Sequence, residues 1–261
     1  MSRILVWDLP TRLFHWLFTA TVMAALAIAL VVDDDSTFFQ VHMLLGLVAG
    51  FMVLLRLVWG FAGSRYARFG SFLFGPKALV DYLVGVFRRN GKRHIGHNPG
   101  SAYAIYAMLL LSLGLPLSGL LMSSWKAFEE LHEVMAYSML VVVGAHIVGI
   151  VLHTLRHREN IALSMINGRK NGDAAQGIGS SNAIIGIIFL TLTAGGAAVV
   201  LNGHDIGARQ LTLFGRTFRL GESKHDGEKD YDEDHDRRGK KRGGHGHHDR
   251  DDHHDHHDDD D

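Results

Sequence analysis

Residues 131–153 read LHEVMAYSMLVVVGAHIVGIVLH, an apolar run long enough to cross a bilayer that nevertheless carries three histidines. His132 and His146 stand 14 residues apart. At ~100° per residue this spacing falls within about 40° of whole turns, so both imidazoles share one helical face. At ~1.5 Å per residue it also spans ~21 Å of depth, much of a ~30 Å hydrocarbon core. An imidazole in hydrocarbon is costly unless satisfied, and intramembrane ionisable groups default to function. Two imidazoles on one face at two depths suit two stacked haems, each taking its second axial ligand from another helix.

Two other histidines sit at matching depths. His15 lies in the first turn of an apolar run at residues 13–32, and His42 lies near the start of a second run at residues 41–60. The first run rises from the side that carries Arg3 and Arg12 and is followed by Asp33, Asp34 and Asp35. The positive-inside rule then places the N-terminus in the cytoplasm. His15 pairs with His146 on the inner side, and His42 pairs with His132 on the outer side. His153 shares the ligand face and lies ~10 Å further in, so depth alone leaves it open as the partner of His15. The ~21 Å stagger fits His146, which leaves His153 for a quinone, for proton relay, or as a snorkelled interfacial side chain.

The elements that must position these groups read as helices. Residues 102–122 form a third span, bent by Gly114, Pro116 and Gly119. Residues 183–201 form a fifth, with no ionisable residue and with Gly186, Gly195 and Gly196 for close helix contact. Gly46 and Gly50 would let a flat macrocycle approach the second helix, and Arg56 near its inner end is a candidate partner for a haem propionate or a quinone. Trp7 and Trp16 suit the membrane interface. Residues 61–100 are rich in Arg and Lys, hence cytoplasmic, with residues 76–89 as a surface amphipathic helix. His94 and His97 fall in this stretch and read as a solvated loop.

Composition limits the chemistry. There is no cysteine, which excludes disulfides, iron–sulfur clusters and covalent haem attachment. The net charge of −1 conceals an asymmetry. Residues 222–261 hold 8 Lys+Arg and 16 Asp+Glu, a net of −8, against 18 and 11, a net of +7, in the rest. The body is a basic membrane protein. Its basic stretches follow the membrane pattern, so no nucleic-acid partner is expected. The expected fold is an all-α integral membrane protein. A four-helix transmembrane di-haem bundle (1–166) is followed by a cytoplasmic linker (167–182), a fifth C-terminal transmembrane helix (183–201) and a periplasmic His/Asp-rich tail (202–261). In that tail QLTLFGRTFRL can form a hairpin, and the remainder is low-complexity and disordered. His245, His247, His248, His253, His254, His256 and His257 make it a loose binder of Zn, Ni or Cu.

Several words of the sequence carry a resemblance. His132–Glu133 followed by His146, the opening VWDLPTRLFHW, the VHMLLGLVAG start of the second helix and GHNPGS before the third are similar to the prokaryotic cytochrome b561 family. That family includes the b-type cytochrome subunits of nickel hydrogenases. The resemblance covers about residues 3–170 and leaves the fifth span and tail outside it. It implies two haem b groups on His15, His42, His132 and His146. It also implies electron transfer, in the bacterial inner membrane, between quinone and a periplasmic c-type cytochrome or hydrogenase subunit. Two rival readings stand beside it. One is a superoxide:quinone oxidoreductase needing no protein partner, an enzyme proper; the other is a metal-responsive redox protein using its tail. Direction of flow, quinone type and homodimer formation stay open.

Overall fold

The computed structural model describes residues 2–88 and 94–220. Five helices are long and apolar enough to cross a membrane. They are α1 (Leu9–Val31), α2 (Phe39–Ala62), α4 (Pro99–Leu121), α5 (Lys126–His157) and α7 (Ala183–Gly203). Two short helices, α3 (Pro76–Phe87) and α6 (Ile161–Asn167), lie between them. The spanning helices turn most of their apolar side chains outward, Val31 and Ile184 among the most exposed. Apolar surface on this scale needs lipid or partners to cover it, and five such helices define a multi-pass membrane protein.

Local chemistry sets the helix starts. Buried Asp8 caps α1 by accepting from the Thr11 N–H at 3.0 Å, and Pro10 sits in the first turn. The second Asp8 oxygen accepts from Trp59 Nε1 at 3.1 Å, which ties the start of α1 to the end of α2. Asn98 and Ser101 form a reciprocal capping box around Pro99 at the start of α4. Pro116 lies inside α4 without ending it.

Helix α1 packs on α2, α2 on α4, and α4 on α5, while α7 packs against α1 and α2. Gly186 lets α7 approach Leu9 and Leu13, and Gly196 lets it approach Phe51; an added Cβ would meet Leu9 at 2.9 Å, Leu13 at 3.2 Å and Phe51 at 2.5 Å. Gly195 has nothing within reach. Helices α1 and α5 are not among the extensively packed pairs of described residues.

Both ends of the bundle carry small sheets. At one end β1 (Ser2–Leu5) pairs antiparallel with β2 (Arg169–Gly172), Ser2 opposite Gly172 and Leu5 opposite Arg169. Part of the expected linker is thus a strand. Trp7, just past β1, is buried and donates to Ser164 Oγ at 3.1 Å, so it is a core residue and not an interfacial anchor. Trp16 is 41% exposed and donates to the Met165 carbonyl. At the other end β3 (His204–Asp205), β4 (Gln210–Leu213) and β5 (Arg216–Arg219) form an antiparallel sheet. Leu211 and Leu220 of this cap pack with Leu44 of α2 and Val200 of α7. The expected hairpin is therefore present and is joined to the bundle.

Candidate functional site

Helices α2 and α5 bring the imidazoles of His42 and His132 together. Their ring centres are 6.4 Å apart, with the planes at 75°. His42 Nδ1 lies 2.8 Å from the Ala25 carbonyl of α1. His132 Nδ1 lies 3.0 Å from the Leu115 carbonyl and 3.0 Å from Ser118 Oγ, both in α4. A carbonyl oxygen only accepts, so each Nδ1 carries the proton and each Nε2 keeps its lone pair. Ser118 in turn donates to the Leu115 carbonyl at 3.0 Å, which leaves its oxygen to accept from His132. Metal-binding histidines are held in this way, with the remote ring nitrogen donating to a carbonyl. The separation fits as well. Metal–imidazole bonds of about 2 Å, and roughly 1.1 to 1.2 Å from nitrogen to ring centre, put the centres of two axial imidazoles about 6.3 Å apart.

His15 and His146 line the wall of a cavity of about 650 Å³ between α1 and α5. His146 is near enough to His15 to interact with it electrostatically. His15 stands edge-on to Trp16, with ring centres 5.0 Å apart. Its buried Nδ1 has no hydrogen-bond partner, so it lacks the carbonyl anchor found at His42 and His132. An orphaned buried nitrogen costs about 1–3 kcal/mol. An apolar ligand with a metal at its centre fits the mostly apolar lining and the two imidazoles in it. His153 is buried in the same wall, two turns beyond His146.

Arg56 falls elsewhere. It is buried against the loop after α2, where its Nη2 donates to the Ala67 carbonyl at 2.9 Å and the guanidinium lies 5.2 Å over the Phe69 ring. It does not line the cavity. Gly50 faces Pro116 of α4, so its missing side chain serves helix contact; Gly46 has open space beside it. The tail histidines His245, His247, His248, His253, His254, His256 and His257 lie outside the described residues. Among the described residues no group of three or more His, Asp or Glu side chains is arranged to hold a metal ion by itself.

His97 is the residue that sequence reasoning missed. The expected solvated loop is half-buried instead: His97 lies between Trp7 and Phe72, with ring centres at 4.7 and 4.3 Å, and lines the cavity. Burial, and then the charges of Arg56 and Lys170, hold its pKa down to about 3, so it is neutral at ordinary pH. Its Nδ1 has no hydrogen-bond partner. No local signal marks it, because the rings that cover it, Trp7 and Phe72, are remote in the chain.

A multi-pass helical membrane protein with paired imidazoles facing one another between its helices has the construction of a membrane cytochrome b. The chain belongs to the family described as prokaryotic cytochrome b561, which matches residues 6–168. It is accordingly a membrane electron-transfer cytochrome of the b type. It is similar to the probable Ni/Fe-hydrogenase B-type cytochrome subunit of Rhizobium leguminosarum bv. viciae, with 22% identity over 213 residues, covering 65% of this chain and 89% of the relative. It is also similar to the probable Ni/Fe-hydrogenase 1 B-type cytochrome subunit of Escherichia coli (strain K12), 23% identical over 214 residues, covering 64% and 90%. No solved structure matches the chain.

Proposed function

We propose that the chain carries electrons across the bacterial inner membrane through two haem b groups, between membrane quinone and a periplasmic redox partner. His42 and His132 would hold one group, and His15 and His146 the other. The observation that carries this reading is the outer pair: two imidazoles at the separation of axial ligands, each with its Nδ1–H held by a carbonyl. Bound haem supplies a one-electron ferric/ferrous couple. The chain's residues do the rest. Two imidazoles per site leave no open axial position for O₂. Ala25, Leu115 and Ser118 fix ring tautomer and direction, and raise the basicity of the ligating nitrogens. The apolar helix walls exclude water and so keep the reorganisation around each centre small.

Similarity to hydrogenase cytochrome subunits supports a hydrogenase as the partner over a c-type cytochrome. Arg65, Arg68, Lys77 and Arg88 in the α2–α4 connection, with Arg156 and Arg158 where α5 ends, lie at the end that holds β1 and β2. Their excess supports a cytoplasmic N-terminus; five crossings then send the C-terminus to the periplasm. The test is a reduced-minus-oxidised spectrum with pyridine haemochrome quantification on purified protein. Two low-spin protohaems per chain are expected, and protein free of protohaem would refute the reading.

A further inference from the structure

The cavity between α1 and α5 has a chemically uneven wall. Its deep part is apolar, with Phe14, Phe18 and Met139. Its end beside β2 and α3 is polar and basic, and among the described residues no aspartate or glutamate lines it. Three groups there matter. Lys170 is a buried lysine whose ammonium lies 5.5 Å from the Trp7 ring. His97 packs on that same indole. Arg156 spends its Nη1 on the carbonyls of Gly85 and Val86, while a guanidinium carries five N–H groups in all.

His97 cannot turn away from the cavity, because Trp7 and Phe72 cover its ring. Its buried Nδ1 lacks a partner within the protein. A neutral imidazole donor in a wall that also holds Lys170 and Arg156, and no acid among its described residues, matches an anionic oxygen ligand. The occupant must combine a broad apolar body with carboxylates at one edge, to match both halves of the wall. Haem b has that division.

We infer that this end of the cavity is a carboxylate cradle, in which His97, Lys170 and Arg156 receive the propionates of the haem held by His15 and His146. The inference rests on the proposed di-haem reading and deepens it. It also moves the propionate contact from Arg56 to groups that line the cavity. His97 acts as a positioning residue: it touches the haem periphery and orients the macrocycle between its axial imidazoles. Charge at the propionates sets the balance of ferric and ferrous iron, so loss of a donor or cation there favours the ferric form of one haem.

The test uses purified full-length protein with His97→Ala, His97→Gln and Lys170→Met, read by haem content and by redox titration followed in the α-band. All three variants are expected to keep two haems per chain. In His97→Ala and Lys170→Met, the ferrous-to-ferric ratio of one haem at a fixed applied potential should fall about threefold or more, with the other haem unchanged. His97→Gln retains an N–H donor and should recover part of the loss. Should His97→Ala fail to assemble, the Gln and Lys170 variants carry the test. Unmoved ratios with normal haem content overturn the cradle alone. Wild-type protein lacking two haems overturns the cradle and the di-haem reading together. Repeating the titration after quinone extraction separates sources: a shift that vanishes with the quinone assigns His97 to a quinone carbonyl and overturns the propionate assignment.

Discussion

Gly50 of α2 lies directly on Pro116 of α4: a Cβ built at Gly50 would sit 2.9 Å from the proline Cγ. Glycine therefore sets how closely these two helices approach. The spacing matters because α2 carries His42, while α4 supplies the Leu115 and Ser118 groups that hold His132. Gly50→Leu should drive the helices apart at a cost of about 1–3 kcal/mol for an overfilled contact. Haem content should drop toward one per chain, with the outer pair losing its ligand. Gly50→Ala asks only for a slight shift of the proline ring and should keep both haems. Haem-to-protein ratios and the temperature at which the Soret band is lost would distinguish the two.

On the proposed di-haem reading the four histidines divide into two couples, and single substitutions should report that division. His42→Ala or His132→Ala should abolish one haem, and His15→Ala or His146→Ala the other. Each should leave the remaining low-spin signal intact. His153→Ala should retain both, because the ~21 Å stagger from His132 assigns the inner ligand to His146. Loss of a haem in His153→Ala with retention in His146→Ala would reverse the inner assignment. Electron paramagnetic resonance of the oxidised protein, which resolves two low-spin centres, is the measurement.

How far the sequence reached follows from the range of the forces involved. Spans are local: twenty apolar residues declare themselves, and α1, α2, α4, α5 and α7 lie where hydropathy puts them. The pairing of His42 with His132 is also within reach, since loop charge fixes the alternation of helices and alternation fixes depth. His97 was hidden because its burial depends on Trp7 and Phe72, which are remote from it in the chain and obey no period. Strands β1 and β2 were hidden for the same reason, each being four residues long with its partner at the far side of the bundle sequence. Arg56 sits at the expected end of its helix, and its Nη2 donates to the Ala67 carbonyl, a tertiary contact that helical phase does not encode.

Ser118 offers a finer probe than removal of a ligand. Its hydroxyl accepts from His132 Nδ1 at 3.0 Å and donates to the Leu115 carbonyl at 3.0 Å. Ser118→Ala leaves the direct Nδ1–Leu115 bond in place, so the tautomer should persist while the ring loses one of its two restraints. Contacts of this kind typically contribute about 10–100-fold to metal affinity. Haem loss from the outer site on dilution into apomyoglobin should accelerate by a factor toward the lower end of that range. The inner haem should be unaffected.

The β3–β5 cap and the tail that follows it should separate cleanly in truncation. Deleting residues 221–261 removes the acidic, histidine-rich segment and touches neither imidazole couple, so both haem bands should survive unchanged. Loss of both would show that the tail and the helical core are not modular. Deleting residues 204–261 also removes the sheet and should behave differently. It strips Leu211, which is fully buried, from Leu44 and Val200. It also takes away the bond from His204 Nε2 to Gln40 Oε1 at 2.7 Å, two residues before His42 on α2. Without that cap the outer end of α2 loses both its apolar cover and its polar tether, and the outer haem should be released at a lower temperature than the inner one. Leu211→Ala isolates the apolar part; at about 2–5 kcal/mol for a buried leucine it should reproduce most of the shift without shortening the chain. If the longer truncation and Leu211→Ala leave the outer band as stable as in the intact protein, the cap does not position His42, and the helix pair alone holds the site.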